Sequence, residues 1–78
     1  MSLEIRMPQI SSDMTEADVV GWLAAPGDAI TEGDLLYEIE TDKSTVEIEA
    51  PASGVLREIL IPAGSNAIAV GTVLATLD

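Results

Sequence analysis

The second half of this chain repeats the first, and that repetition limits the fold more than any other feature of the sequence. Ile5-Arg6-Met7-Pro8 matches Ile48-Glu49-Ala50-Pro51. Val19, Val20, Leu23 and Pro26 match Val55, Leu56, Ile59 and Pro62 at a constant offset. Gly27 then matches Gly64 and Gly33 matches Gly71, each after one more inserted residue, and Leu35, Leu36 and Ile39 match Val73, Leu74 and Leu77. Each half reads as strand, proline, loop, long strand, turn, short strand, strand. Two short, half-buried units of this kind cannot close a core separately, so they must share one.

Period-two alternation runs through both halves, and no stretch long enough for a sizeable helix carries the 3.6-residue period. The strands are expected at 3–7, 18–25, 28–30, 35–41, 44–50, 54–61, 66–68 and 73–77. Pro8, Pro26-Gly27, Gly33-Asp34, Pro51, Gly54, Pro62, Gly64 and Gly71 punctuate them. Met14-Thr15-Glu16-Ala17 could form one helical turn at most and reads as loop. Eight short strands with tight connections predict an all-β fold, a flattened barrel or sandwich of two four-stranded antiparallel sheets with an internal pseudo-two-fold axis. The halves join at Asp42-Lys43. A two-fold axis relating them places the chain ends opposite that junction.

Composition narrows the chemistry. The 78 residues amount to one small domain. A chain this short leaves a large part of its surface in solvent. It has neither cysteine nor histidine. It therefore has no disulfide framework, no thiolate metal site and none of the commonest general bases. No convincing catalytic set can be assembled from the remainder, and no metal site is expected. The core must rest on aliphatic packing. The formal net charge is −11, with 14 acidic residues against Arg6, Lys43 and Arg57. Such a surface repels nucleic-acid phosphates and anionic membranes and attracts basic patches on proteins. No apolar run approaches the roughly 20 residues of a membrane-spanning helix. Met1-Ser2-Leu3 is too short to be a targeting sequence.

The sequence around the junction folds naturally into a hairpin. Folding about Asp42-Lys43 pairs Thr41 with Ser44, Glu40 with Thr45, Ile39 with Val46, Glu38 with Glu47 and Tyr37 with Ile48. Ile39, Val46, Tyr37 and Ile48 then share one face and the glutamates the other, which fixes the register. Two features are unusual. The turn is Asp-Lys, without the Gly or Asn that a two-residue type I′ turn prefers. Glu38 and Glu47 stand directly opposite each other, an arrangement that costs up to about 1 kcal/mol relative to a neutral pair. An acidic collar around Lys43 suits a recognition surface, and solvent screening suffices to tolerate it.

Lys43 is the only lysine in the chain. It stands at the tip of this hairpin, at the join of the two repeats, flanked by acids. The sequence supplies no apolar pocket to activate its amine as a nucleophile. Modification of Lys43 by a dedicated enzyme suits the position better than catalysis by Lys43 itself.

The segment Glu38-Ile39-Glu40-Thr41-Asp42-Lys43-Ser44-Thr45-Val46-Glu47 resembles the modification-site motif of the lipoyl domains of 2-oxo acid dehydrogenase and related complexes. Met7-Pro8-Gln9, Met14-Thr15-Glu16, Trp22, Gly27-Asp28, Gly33-Asp34, Gly54, Gly64 and Val70-Gly71 agree with the same family, over about residues 4–77. The resemblance implies a two-sheet β-barrel over residues 1–78, a single lipoyl domain at the N-terminus of a longer acyltransferase chain, with lipoic acid in amide linkage to Lys43. It implies a carrier that is not itself an enzyme. The carrier would move acyl groups and reducing equivalents between a thiamine-diphosphate dehydrogenase (E1), the acyltransferase core (E2) and the flavoprotein dihydrolipoamide dehydrogenase (E3). A lipoate ligase or octanoyltransferase would attach the group. Glu40, Asp42 and Ser44 are the positions this family's recognition points to, and the loop Ile10-Ser11-Ser12-Asp13 should lie near the hairpin and help E1 discriminate. The implied location is the bacterial cytoplasm, or the mitochondrial matrix in a eukaryote. Ala17-Asp18 and Ser11-Ser12 depart from the family's usual Glu-Gly and Gly-Glu. Two alternatives remain. One is a biotinyl carrier domain, whose family flanks the lysine with methionines where this chain has Asp42 and Ser44. The other is a β-domain that binds proteins without being modified.

Overall fold

The structure, a computed structural model, describes residues 3–78; Met1 and Ser2 lie outside the described residues. It contains eight strands: β1 (Leu3–Arg6), β2 (Glu16–Trp22), β3 (Ala29–Ile30), β4 (Leu35–Glu40), β5 (Thr45–Glu49), β6 (Gly54–Ile59), β7 (Ser65–Ala69) and β8 (Val73–Leu77). They form two four-stranded antiparallel sheets, ordered β1-β8-β6-β3 and β5-β4-β2-β7. Exchanging β1 with β5, β2 with β6, β3 with β7 and β4 with β8 turns one order into the other, which is the two-fold relation that the sequence repeat predicts.

The hydrogen bonds obey the same exchange. Gly27 N donates to Leu56 O at 2.7 Å, and Gly64 N to Val19 O at 2.8 Å, so each half stitches its turn to the long strand of the other. Gly33 N donates to Ala50 O and Gly71 N to Met7 O, both at 3.0 Å. Gly27 and Gly64, at φ 97° and 91°, sit third in turns closed by Asp28 N to Ala25 O and Ser65 N to Pro62 O. A type II turn needs a positive φ at that place, where glycine alone is unstrained.

The structure corrects the repeat in one strand. Val19 is opposite Ile39 and Leu56 is opposite Leu77, both pairs are buried, and Ile39 corresponds to Leu77. Val19 therefore corresponds to Leu56 and not to Val55, which is 44% exposed, as is Val20. A slip of one residue sends a strand's side chains to the opposite face. Matching Pro26 with Pro62 produced the slip, because the two prolines occupy neighbouring positions of equivalent turns. The second inserted residue is real: Ala67 has φ 55°, and its N–H is held by Asp18 Oδ1 at 2.8 Å.

Most strand bounds move by one or two residues, and β2 moves at both ends. Glu16 and Ala17, expected in a loop, belong to β2 because β7 offers them a ladder, Glu16 opposite Ala69 and buried Ala17 opposite Ile68. Residues 23–25 leave the strand because the chain is already turning toward Asp28.

The core lies between the sheets and is aliphatic apart from Tyr37. Leu36, Ile39, Leu56, Leu74 and Ala75 are fully buried. No polar or charged residue is buried among the described residues. Tyr37 packs on Trp22 with ring centroids 4.9 Å apart, and Trp22 Nε1 donates to Ile61 O at 2.9 Å, which satisfies the one polar atom of the indole.

Candidate functional site at the β4–β5 turn

The β4–β5 hairpin has the pairing read from the sequence: Glu40 with Thr45, Ile39 with Val46, Glu38 with Glu47 and Tyr37 with Ile48. Thr41 and Ser44 close it, with Thr41 N donating to Ser44 O at 2.9 Å. Neither Asp42 nor Lys43 has a positive φ, so this is not a type I′ turn. The Thr41 side chain takes the place of the usual Gly or Asn. Its Oγ1 accepts from Lys43 N and Ser44 N, both at 3.2 Å, and donates to Ser44 O at 3.1 Å. Short hydroxyl-bearing side chains hold turns through such bonds to backbone two and three residues on. The sequence reading makes Thr41 the partner of Ser44 and gives its hydroxyl no role. The available signal was a threonine placed immediately before a turn that lacked its preferred residues.

The side chain of Lys43 is 68% exposed. Its Nζ lies 3.4 Å from Asp13 Oδ2, in the loop that joins β1 to β2. That loop is braced internally: Gln9 Nε2 donates to Met14 O at 3.2 Å and to Ser12 O at 3.3 Å, and Ile10 N approaches Met14 Sδ at 3.4 Å. Ser11 Oγ donates to Asp13 Oδ1 at 2.9 Å. Hydrogen bonds from the Ser11 hydroxyl, from the Asp13 backbone N–H and from Lys43 hold the Asp13 carboxyl below its ordinary range. Pairing with a cation and hydrogen bonding to the ionised form act in the same direction.

A groove of about 430 Å³ opens between loop and hairpin. Asp13, Glu16, Asp18, Glu40 and Asp42 line it, and Lys43 is its single cation. Of the residues singled out from the sequence, Ser11, Asp13, Glu40, Asp42 and Lys43 meet at this groove, and Ser44 borders the tip on the other side. Ile10 and Ser12 are exposed on the same loop but do not line the groove. Glu38 and Glu47 stand opposite each other as expected, and neither forms an ion pair among the described residues. Among the described residues no group of His, Cys, Asp and Glu is placed to hold a metal ion. A primary amine on a long stem, carried clear of the body by a braced turn, can be acylated by an enzyme that closes over the tip. It has no apolar wall from which to act as a nucleophile in its own right.

Comparison with known proteins gives a consistent picture. The biotin/lipoyl family model, described as "Biotin-requiring enzyme", matches residues 3–77. The dihydrolipoyllysine-residue acetyltransferase component of the pyruvate dehydrogenase complex of Zymomonas mobilis is 48% identical over 77 residues, covering 99% of this chain and 18% of that protein. The pyruvate dehydrogenase E1 component subunit beta of Rhizobium meliloti is 43% identical over 77 residues, covering 99% of this chain and 17% of that protein. The chain thus spans less than a fifth of these curated relatives. The solution structure of the lipoyl domain of the 2-oxoglutarate dehydrogenase complex from Azotobacter vinelandii superimposes with a TM-score of 0.78 at 30% identity, covering 97% of this chain and 95% of that one.

Proposed function

Because the chain belongs to the biotin/lipoyl family and is a lipoyl domain, a carrier and not an enzyme by itself, we propose that Lys43 is the residue that bears its lipoyl group. The observation that carries this reading is the solitary lysine, standing exposed at the tip of the hairpin that joins the two half-repeats. The residues present suit the group: a primary amine on a side chain 68% exposed, set on a turn whose backbone N–H groups are bonded by the Thr41 hydroxyl. When bound, lipoate supplies a dithiolane that takes up and releases acyl groups and electrons. The chain's own residues present and hold that group on a rigid body. Carriage on a tethered domain replaces free diffusion by a high local concentration.

On this reading Glu40, Asp42 and Ser44 are read by a lipoate ligase or octanoyltransferase, and the loop Ile10-Ser11-Ser12-Asp13 by a thiamine-diphosphate E1. The parent chain is an acyltransferase with this domain at its N-terminus, serving a 2-oxo acid dehydrogenase complex together with the E2 core and E3. The names of the relatives favour that complex, and the segment shared with an E1 beta subunit is the competing placement.

Intact mass, measured with and without lipoate ligase and lipoate, tests the central assignment. The wild-type domain should gain one lipoyl group and Lys43→Arg none. No gain, or a gain retained in Lys43→Arg, would sink it. A biotin ligase control that labels the wild type would favour the biotinyl alternative.

A further inference from the structure

We propose that Thr41 is a positioning residue for the acylation of Lys43, its hydroxyl fixing the backbone beneath the lysine so that the amine is presented in one orientation. The inference rests on Lys43 being the attachment site. A threonine hydroxyl offers one hydrogen and two lone pairs. Here all three are spent inside the turn, on Lys43 N, Ser44 N and Ser44 O. Two of the four turn residues are thereby tied to the side chain of a third.

The geometry separates this role from general stabilisation. The turn projects beyond the last ladder pair, Glu40 with Thr45, and Asp42, Lys43 and Ser44 are all exposed. The core that holds the fold, with Leu36 and Ile39 on β4, lies inward of it. Without the hydroxyl, Lys43 N and Ser44 N can still bond to water, so the loss falls on the order of the tip and not on burial. The Asp-Lys sequence has no intrinsic preference for a tight two-residue turn. An untied tip therefore samples several backbone shapes, of which the conjugating enzyme accepts one. A protein whose competent form is only a fraction of the population binds more weakly by that fraction. The predicted signature is a raised KM for the domain with kcat preserved.

Thr41→Val keeps the β-branched shape and removes the hydroxyl, and Thr41→Ser keeps the hydroxyl. Conjugation by purified lipoate ligase, with lipoate and ATP, is followed by intact mass over a range of domain concentrations. For Thr41→Val, KM should rise about tenfold while kcat stays within about twofold, since removing hydrogen bonds of this kind corresponds to about one decade. Thr41→Ser should return KM to within about twofold of wild type. Hydrogen exchange at the Lys43 and Ser44 amides should quicken in Thr41→Val, with Leu36 and Ile39 unchanged. A wild-type KM in Thr41→Val overturns the proposal. So does a rise in KM that Thr41→Ser shares, or a rise accompanied by faster exchange at Leu36 and Ile39, which would mark a merely structural effect. Failure of the wild-type domain to be modified at all would instead remove the Lys43 assignment, and this inference with it.

Discussion

The two halves of the molecule share their topology and much of their cross-strand register. Ile39 opposite Val46 in one sheet is Leu77 opposite Leu3 in the other, and Tyr37 opposite Ile48 is Ala75 opposite Ile5. Even the irregularities recur, the shift between Val19 and Gly21 reappearing between Leu56 and Glu58. Against this background three departures stand out. Residues 7–15 join β1 to β2, whereas residues 50–53 suffice to join β5 to β6. Trp22 and Tyr37 form an aromatic pair where the second half has Ile59 and Ala75. The turn at 41–44 has no counterpart within the described chain. The first and third departures meet at the groove beside Lys43. Shared features build the scaffold, and two of the three departures gather beside Lys43.

The comparison can be broken most forcefully in the core. Leu36 and Leu74 are equivalent and fully buried. Leu36→Ala and Leu74→Ala should each cost about 2–5 kcal/mol, by transfer and cavity terms together. Urea unfolding should place the two within about 1 kcal/mol of each other. A gap of more than about 2 kcal/mol would mean that the halves share topology but not mechanical equivalence.

The aromatic pair offers a test of intermediate size. Burial pushes the Tyr37 hydroxyl up to about 12 from 10.0. The neutral phenol is thus favoured by folding. Its contribution is complete below pH 10, where the unfolded side chain is also neutral, and is lost as the pH rises toward about 12. Tyr37 is the only tyrosine and Trp22 the only tryptophan, so tyrosinate absorbance and tryptophan fluorescence report separately. Ionisation of Tyr37 should coincide with alkaline unfolding. Titration near pH 10 in a folded domain would remove the asymmetry between the halves at this position.

The smallest effect is at the loop. The Asp13 carboxyl is held below its ordinary range by Ser11 first, then by its own backbone and by Lys43. What the ionised form contributes to holding the loop is present above 3.8, the ordinary Asp value, and is lost as the pH falls through the depressed one. Acylation of Lys43 removes the ammonium but leaves the other two bonds. Carboxyl-carbon NMR titrations of the free and acylated domain should therefore show Asp13 moving up only part of the way. An unchanged titration would mean that this exposed ion pair is not populated in solution, the common fate of surface pairs.

Much of this was legible because alternation and burial agree. The pairs from Tyr37 with Ile48 to Glu40 with Thr45 follow from two apolar faces that can meet in only one register. The position of Lys43 at the tip follows from the same folding. The slip at Val19 was not legible: two prolines suggested an alignment, and only cross-strand partners show that Leu56 is the true counterpart. The entry of Glu16 and Ala17 into β2 was hidden because it depends on β7, far along the chain. The resemblance brings the loop Ile10-Ser11-Ser12-Asp13 near the hairpin, but the particular pairing of Asp13 with Lys43 is hidden, since it is set by tertiary packing. Thr41 was named as a ladder partner, but its hydroxyl geometry cannot be read from residue types.

The exchange that superimposes the halves carries the turn of β4 into β5 onto the place where Leu77 lies opposite Leu3. In topological terms the fold is a ring of eight strands with a single link left open. The β8–β1 link and the lysine tip are equivalent under the exchange, and the break could have fallen at either. Opened at the tip and closed between β8 and β1, the same strands would make a circularly permuted domain.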